Sequence, residues 1–277
     1  MTRVLASSNG LPGFDRIPKW FNDPQNWWGP DGLLNRIREH MVYTGIIVVI
    51  AVLIALPIGL VVGHTGRGVF LVVGLANGLR AVPTFGLLIL ITVWLQPKIH
   101  SKAAIPGVVE HGDLGYFIPA VLVLVVLALP PILTNTYAGV QNVDPDVRDA
   151  ARGMGMTGAQ IVRKVELPNA LPLIMSGIRS ATLQVIATVT VAAYVLLGGL
   201  GDFIVEGAQQ LNNLQFGYPA MVSAGIVVAV LAVLTDGVLG VVQRLIVSPG
   251  VTGRFTRRRV DVVAPRSQPV EAQLADA

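Results

Sequence analysis

Long apolar runs alternate with short polar ones along this chain, and the alternation sets the architecture. Residues 42–63, 117–133 (running on towards Gly139), 173–198 and 220–246 each carry an apolar stretch close to the ~20 residues that a membrane-spanning helix needs. A fifth region, 69–95, is split by Arg80 and Pro83 into apolar halves of 11 and 12 residues. Neither half reaches a span, and the link between them is too short to reverse a hairpin. The pattern predicts one tilted helix of 27 residues, about 40 Å long and kinked at Pro83. The expected fold is all-α, a polytopic transmembrane bundle of five spans. It becomes six if residues 69–79 and 84–95 cross separately.

Three regions follow: a polar lead-in over 1–41, a membrane domain over 42–247 and a tail over 248–277. Within the lead-in, Leu33, Leu34, Ile37 and Met41 share one face of a short helix suited to the interface, with Trp27 and Trp28 at headgroup level. Residues 1–18 and the chain from Val262 onward read as disordered. No apolar stretch precedes Val42, so no secretory signal is expected. No internal repeat appears, which argues against an inverted-repeat secondary transporter.

The polar segment 142–168 lies between two apolar runs. Asp144 can cap a helix that has Pro145 at its first position, where the missing N–H costs nothing. Gly155 lets the chain turn, Thr157 and Gln160 have capping-box spacing for a second helix, and Pro168 is expected to stop it. Two short helices meeting at a small-residue elbow make a compact knob.

Composition narrows the function. Hydrophobic residues are 53% of the chain, charged residues 13% and mean hydropathy is +0.65, against about 25% charge in soluble domains. With no cysteine, disulfides and thiolate chemistry are excluded. The phosphate-binding Gly-x-x-x-x-Gly-Lys-[Ser/Thr] pattern is missing, as is Gly-x-Ser-x-Gly, and the four histidines are scattered. No enzyme is expected, and no cofactor or metal in this chain. The net charge of +4 sits in loops and tail, which fits membrane orientation rather than nucleic-acid binding.

Charges inside apolar runs are costly unless paired or facing a wet cavity. Arg80 either lines a translocation path beside Pro83 or snorkels to an interface. Asp236 can pair with Arg80 or with Arg179. Gln184 and Thr188, four residues apart, share a face and line a pore or bond neighbouring helices; Thr182 and Thr190 add to the polarity of that span. After Gly198-Gly199-Leu200-Gly201, an outer loop with Asp202, Glu206 and Gln209 is a candidate docking surface.

The segment Asp149-Ala150-Ala151, then Gly155, then Val165-Glu166-Leu167-Pro168 resembles the EAA loop of ABC-importer permeases at every spacing, with Asp for Glu and Val for Ile. Further stretches, Arg80-Ala81-Val82-Pro83-Thr84, Asn135 to Val140, Ala151 to Thr157 and Ala187 to Tyr194, are similar to permeases of osmoprotectant importers for glycine betaine, carnitine, choline and proline. The resemblance implies a type I permease core of five spans, with the N-terminus outside. It implies that the elbow is a coupling helix seated in a cytoplasmic ATPase. Asp149, Ala150, Ala151 and Gly155 would be its contact core, and Val165, Leu167 and Pro168 would complete the loop. The implied partners are two ATPase subunits that bind ATP, an extracytoplasmic solute-binding protein, and a second permease copy or a sister subunit. Arg254 and Arg257–Arg259 suit a cytoplasmic tail, whereas Arg36 and Arg38 beside the first span run against an outer N-terminus.

Overall fold

The computed structural model describes residues 16–99, 114–211, 213 and 217–247. Among these every regular element is helical. The expectations for the first fifteen residues and for 248–277 lie outside the described residues. In chain order the helices are α1 (Ile17–Asn22), α2 (Leu33–Thr65), α3 (Val69–Ala81), α4 (Thr84–Leu95), α5 (Leu114–Gln141), α6 (Pro145–Gly153), α7 (Gly158–Ile161), α8 (Leu167–Ala192), α9 (Gly201–Gln209) and α10 (Gly217–Ile246).

Two expectations about helices change. First, residues 33–41 form no separate interfacial helix. Leu33 begins a single 33-residue helix that continues into the first span, and Leu33, Arg36, Glu39 and His40 are buried along it. Residues 17 and 18, read as disordered, belong to α1. The lead-in packs instead as a cap on the far end of the bundle, where Trp20 meets Phe203 edge-on at 5.6 Å. Second, the region 69–95 is not one kinked helix. Val82 and Pro83 are both extended, with ψ of 129° and 109°, and the axes on either side differ by 93°. A residue before proline is pushed out of the α region, and proline itself donates no N–H to the preceding turn. Two extended residues in succession turn the chain where one proline would only have bent it.

Among the described residues four helices are long and apolar enough to cross a membrane, and the broken α3–α4 pair makes up to five. Chain direction supports counting that pair as one crossing. Near their starts α2 and α5 are joined by Tyr43 and Phe117, whose rings lie 5.6 Å apart. Near their ends Gln141 Nε2 donates to the Gly63 carbonyl at 2.6 Å. Both helices therefore run the same way, and α3 with α4 must return the chain once. The ends of α2 and α5 and the start of α8 lie at the elbow. The start of α2 lies beside the far end of α8, where His40 Nε2 meets the Ile186 carbonyl at 3.0 Å. On α10, Gln243 Nε2 reaches the Pro172 carbonyl at 3.4 Å, so the chain leaves the last helix on the elbow side.

The core is the seam of α2, α5 and α8, with Ile47, Leu124, Ala128, Ile132, Ala181, Val185 and Val189 buried. Lipid tails are as apolar as these side chains, so close contact rather than water exclusion holds such a seam together. Gly177 of α8 shows how close: a Cβ there would lie 2.7 Å from the Pro131 carbonyl oxygen. By contrast, α10 is buried only near its start, at Gly217, Pro219, Ala220, Ser223 and Ala224. Val230, Val233, Leu234, Val238, Val241 and Leu245 face outward along it.

Candidate coupling and translocation sites

The elbow forms from local rules. Asp144 accepts from the Asp146 N–H at 2.9 Å, with Pro145 opening α6. Thr157 and Gln160 complete the capping box of α7, Thr157 N–H to Gln160 Oε1 at 2.8 Å and Gln160 N–H to Thr157 Oγ1 at 3.4 Å. Between them Gly155 takes φ of +80°, with open space where a Cβ would stand. Along α6, Asp149 and Ala150 are exposed and Ala151 is buried. Val147 and Met154 also face outward. Asp149 pairs with Arg152 at 2.8 Å.

Pro168 does not stop the second helix. A π-turn over Val162–Glu166 leads directly into α8, with the Leu167 N–H reaching the Val162 carbonyl five residues back. The wider turn accommodates the proline, which has no N–H for the preceding turn. Leu167 packs against Val140, Ala170 and Ile174. The motif is thus divided in space. Asp149, Ala150 and Gly155 look outward, whereas Ala151 is buried and Val165, Leu167 and Pro168 are half-buried.

A buried carboxylate sits under the elbow and was not singled out in the sequence. Glu166 is fully buried; its Oε2 lies 2.9 Å from His64 Nδ1 on α2, and its Oε1 forms an ion pair of 3.1 Å with Arg148 Nε on α6. Arg148 Nη2 also donates to the Val140 carbonyl in the last turn of α5.

The candidate path residues separate. Gln184 Nε2 donates to the Leu127 carbonyl at 3.1 Å. That carbonyl has no helical donor, because Pro131 occupies the position four residues on. Thr188 turns back to the Gln184 carbonyl at 2.9 Å. Gln184 therefore serves the α5–α8 seam with its amide. The α3 backbone carries Arg80 in its last turn, next to the break at Pro83; its side chain lies outside the described residues. Asp236 pairs with Arg179, which uses Nε and Nη2 on the two carboxylate oxygens at 2.9 and 2.7 Å.

A second polar cluster lies at the far end. Arg36 Nη1 pairs with Glu39 Oε2 at 3.1 Å and Asp202 Oδ2 at 2.8 Å, and Nη2 pairs with Asp31 at 2.9 Å. Glu39 Oε2 accepts the Gly199 N–H at 3.2 Å. The residues read as an outer docking loop form helix α9, and Asp202 turns inward to Arg36. Burial pushes the Asp202 carboxyl up to about 6, against the opposing pull of Arg36. The i,i+3 spacing of Arg36 and Glu39 was the available signal. It also explains the poor orientation cue: Arg36 is held within an acidic cluster at its own end of the bundle. Among the described residues no group of His, Asp and Glu is placed to hold a metal.

A bundle of apolar spans presenting a polar elbow on one side is the architecture of an inner-membrane transport component. The chain belongs to the binding-protein-dependent transport system inner membrane components, whose family model matches residues 55–248. It is similar to the glycine betaine/carnitine/choline transport system permease protein OpuCB of Bacillus subtilis (strain 168), at 32% identity over 80% of this chain and 91% of that protein. The choline transport system permease protein OpuBB of the same organism is 34% identical, covering 79% of this chain and 90% of that one. The carnitine transport permease protein OpuCB of Listeria monocytogenes is 34% identical, with 75% and 85% covered. Among solved structures, a chain of the inward-facing MetNI methionine ABC transporter shares the fold, with a TM-score of 0.63 at 21% identity, covering 78% of this chain and 96% of that chain.

Proposed function

We propose that this chain is the membrane-spanning permease subunit of an ATP-driven importer of osmoprotectants such as glycine betaine, carnitine, choline or proline. The observation that carries the solute class is the set of relatives named for glycine betaine, carnitine and choline, each covered over most of its length. The reading of the machinery comes from the elbow. Asp149, Ala150, Val147 and Met154 form its outward face, and its inward face is tied to α2, α5 and α8. A cytoplasmic ATPase that binds ATP receives the outward face. An extracytoplasmic binding protein delivers solute at the end where Arg36, Glu39 and Asp202 meet.

The outward apolar surface of α10 and α3 goes to lipid and to a second permease. Relatives named OpuCB and OpuCD both occur in Bacillus subtilis, which favours a sister subunit. Arg80, Pro83, Gln184 and Thr188 are the residues assigned to the neighbourhood of the path. The test is uptake of labelled glycine betaine, carnitine and choline at high salt by cells with and without this gene. Loss of ATP-dependent uptake of one of them, restored by the gene, is the expected result. Unchanged uptake of all three rejects the solute class.

A further inference from the structure

We infer that Glu166 is a positioning residue that carries movement of α6 to α2 and α8. This rests on the reading of α6 as the ATPase contact. Helix α6 has one short covalent link to the bundle, the three residues 142–144 after α5. Its link to α8 passes through the elbow at Gly155, where the surroundings are open, and it has no covalent link to α2 at all. An open glycine elbow transmits a push poorly.

The side-chain route is shorter. Arg148 projects from α6 to Glu166 at 3.1 Å, and Glu166 stands 2.9 Å from His64 in the last turn of α2. Glu166 belongs to the π-turn at the head of α8, so one carboxylate joins three helices. A carboxylate with no exposed surface is tolerated when its charge is paired, and breaking one pair leaves an uncompensated charge. Packed interfaces of this kind switch between discrete arrangements rather than stretching. Moving Arg148 away would strip the buried Glu166 charge of its cation, so the pair favours Glu166, and with it the first turn of α8 and the end of α2, following Arg148. The π-turn assists, because Pro168 lacks the N–H that would tighten it to an α-turn.

The experiment uses the transporter purified with its own ATPase and binding protein and reconstituted in vesicles. It measures labelled glycine betaine imported per ATP hydrolysed, a ratio that lower abundance or stability does not move. Glu166→Gln keeps the side chain's size and removes its charge. It is expected to cut the ratio at least tenfold while the ATPase stays bound. Arg148→Gln should do the same, and the double variant should be no worse than the worse single. An unchanged ratio in Glu166→Gln, or losses that multiply in the double variant, overturns the relay. Should Glu166→Gln not reach the membrane, Glu166→Asp retains the charge one methylene further back; a reduced ratio supports the relay and an unchanged one overturns it. If the wild-type complex imports none of labelled glycine betaine, carnitine and choline on ATP addition, the proposed function itself falls, an outcome distinct from an active wild type with an indifferent Glu166.

Discussion

Arg179 on α8 and Asp236 on α10 face one another through two parallel contacts, Nε to Oδ1 at 2.9 Å and Nη2 to Oδ2 at 2.7 Å. This fork is the charged tie of α10 to the bundle among the described residues, with Gln243 adding a contact to Arg179 at 3.1 Å and another to the Pro172 carbonyl at 3.4 Å. A bidentate guanidinium–carboxylate pair fixes rotation as well as distance. Asp236→Ala is expected to lower the thermal midpoint in detergent by about 2–4 °C. The exchanged pair Arg179→Asp with Asp236→Arg should recover part of the loss. Equal midpoints for wild type and Asp236→Ala would show that the fork adds nothing to the hold of α10 on the bundle.

At Gly177 the α8 backbone approaches α5 so closely that a Cβ would stand 2.7 Å from Pro131 O and 2.8 Å from Asn135 Cβ. Backbone oxygen cannot swing aside as a flexible side chain can. Gly177→Ala should cost about 1–3 kcal/mol of overpacking, whereas Gly225→Ala, where nothing lies within 4 Å, should be neutral. Thermal midpoints of the two variants in the same detergent decide between local crowding and a general intolerance of added methyls.

What could be read along the chain was what depends on near neighbours. The four long apolar runs found their helices because hydropathy is summed over a window, and the elbow formed because Asp144, Thr157 and Gln160 act within three residues of themselves. The bend fell where Pro83 placed it, but its size, 93° through two extended residues, was not legible because apolar counting is blind to backbone ψ. Pro168 was misread as a stop because a π-turn changes which carbonyl lacks a donor. The two charge clusters depend on distant partners: His64 meets Glu166 across 102 positions, and Gly199 meets Glu39 across 160. Single-residue patterns hold no record of such meetings, so Glu166, though inside the motif between Val165 and Leu167, was given no role.

Asp202 should give stability a distinctive dependence on pH. Its folded pKa, about 6, lies above the ordinary 3.8 because burial disfavours the charged form, although Arg36 resists the shift. Glu206, Glu39 and Asp31 add repulsion in the same direction. A carboxyl shifted upward takes up a proton on folding between these values. Its contribution is fully present below about pH 4 and is lost as pH rises through about 6. The difference in thermal midpoint between wild type and Asp202→Asn should therefore move in favour of the wild type as pH falls from about 7 to 5. A difference that stays constant over that window would mean that Asp202 remains charged beside Arg36 throughout.

Gly155 separates backbone strain from the bulk of a partner's cleft. With φ of +80°, any side chain is strained, yet nothing in the chain lies within 4 Å of its Cβ position. Gly155→Ala thus carries the strain alone, about 1 kcal/mol or somewhat more. Gly155→Trp carries the same strain and adds a large side chain that this chain has room for. If α6 and the elbow seat in a cleft of the ATPase, the alanine variant keeps most of its ATP-dependent uptake, while the tryptophan variant inserts normally and loses at least tenfold. Uptake measured beside membrane abundance tests the point. Equal activity of the two variants would place Gly155 outside the contact, and with it the outward face of α6 that includes Asp149 and Ala150.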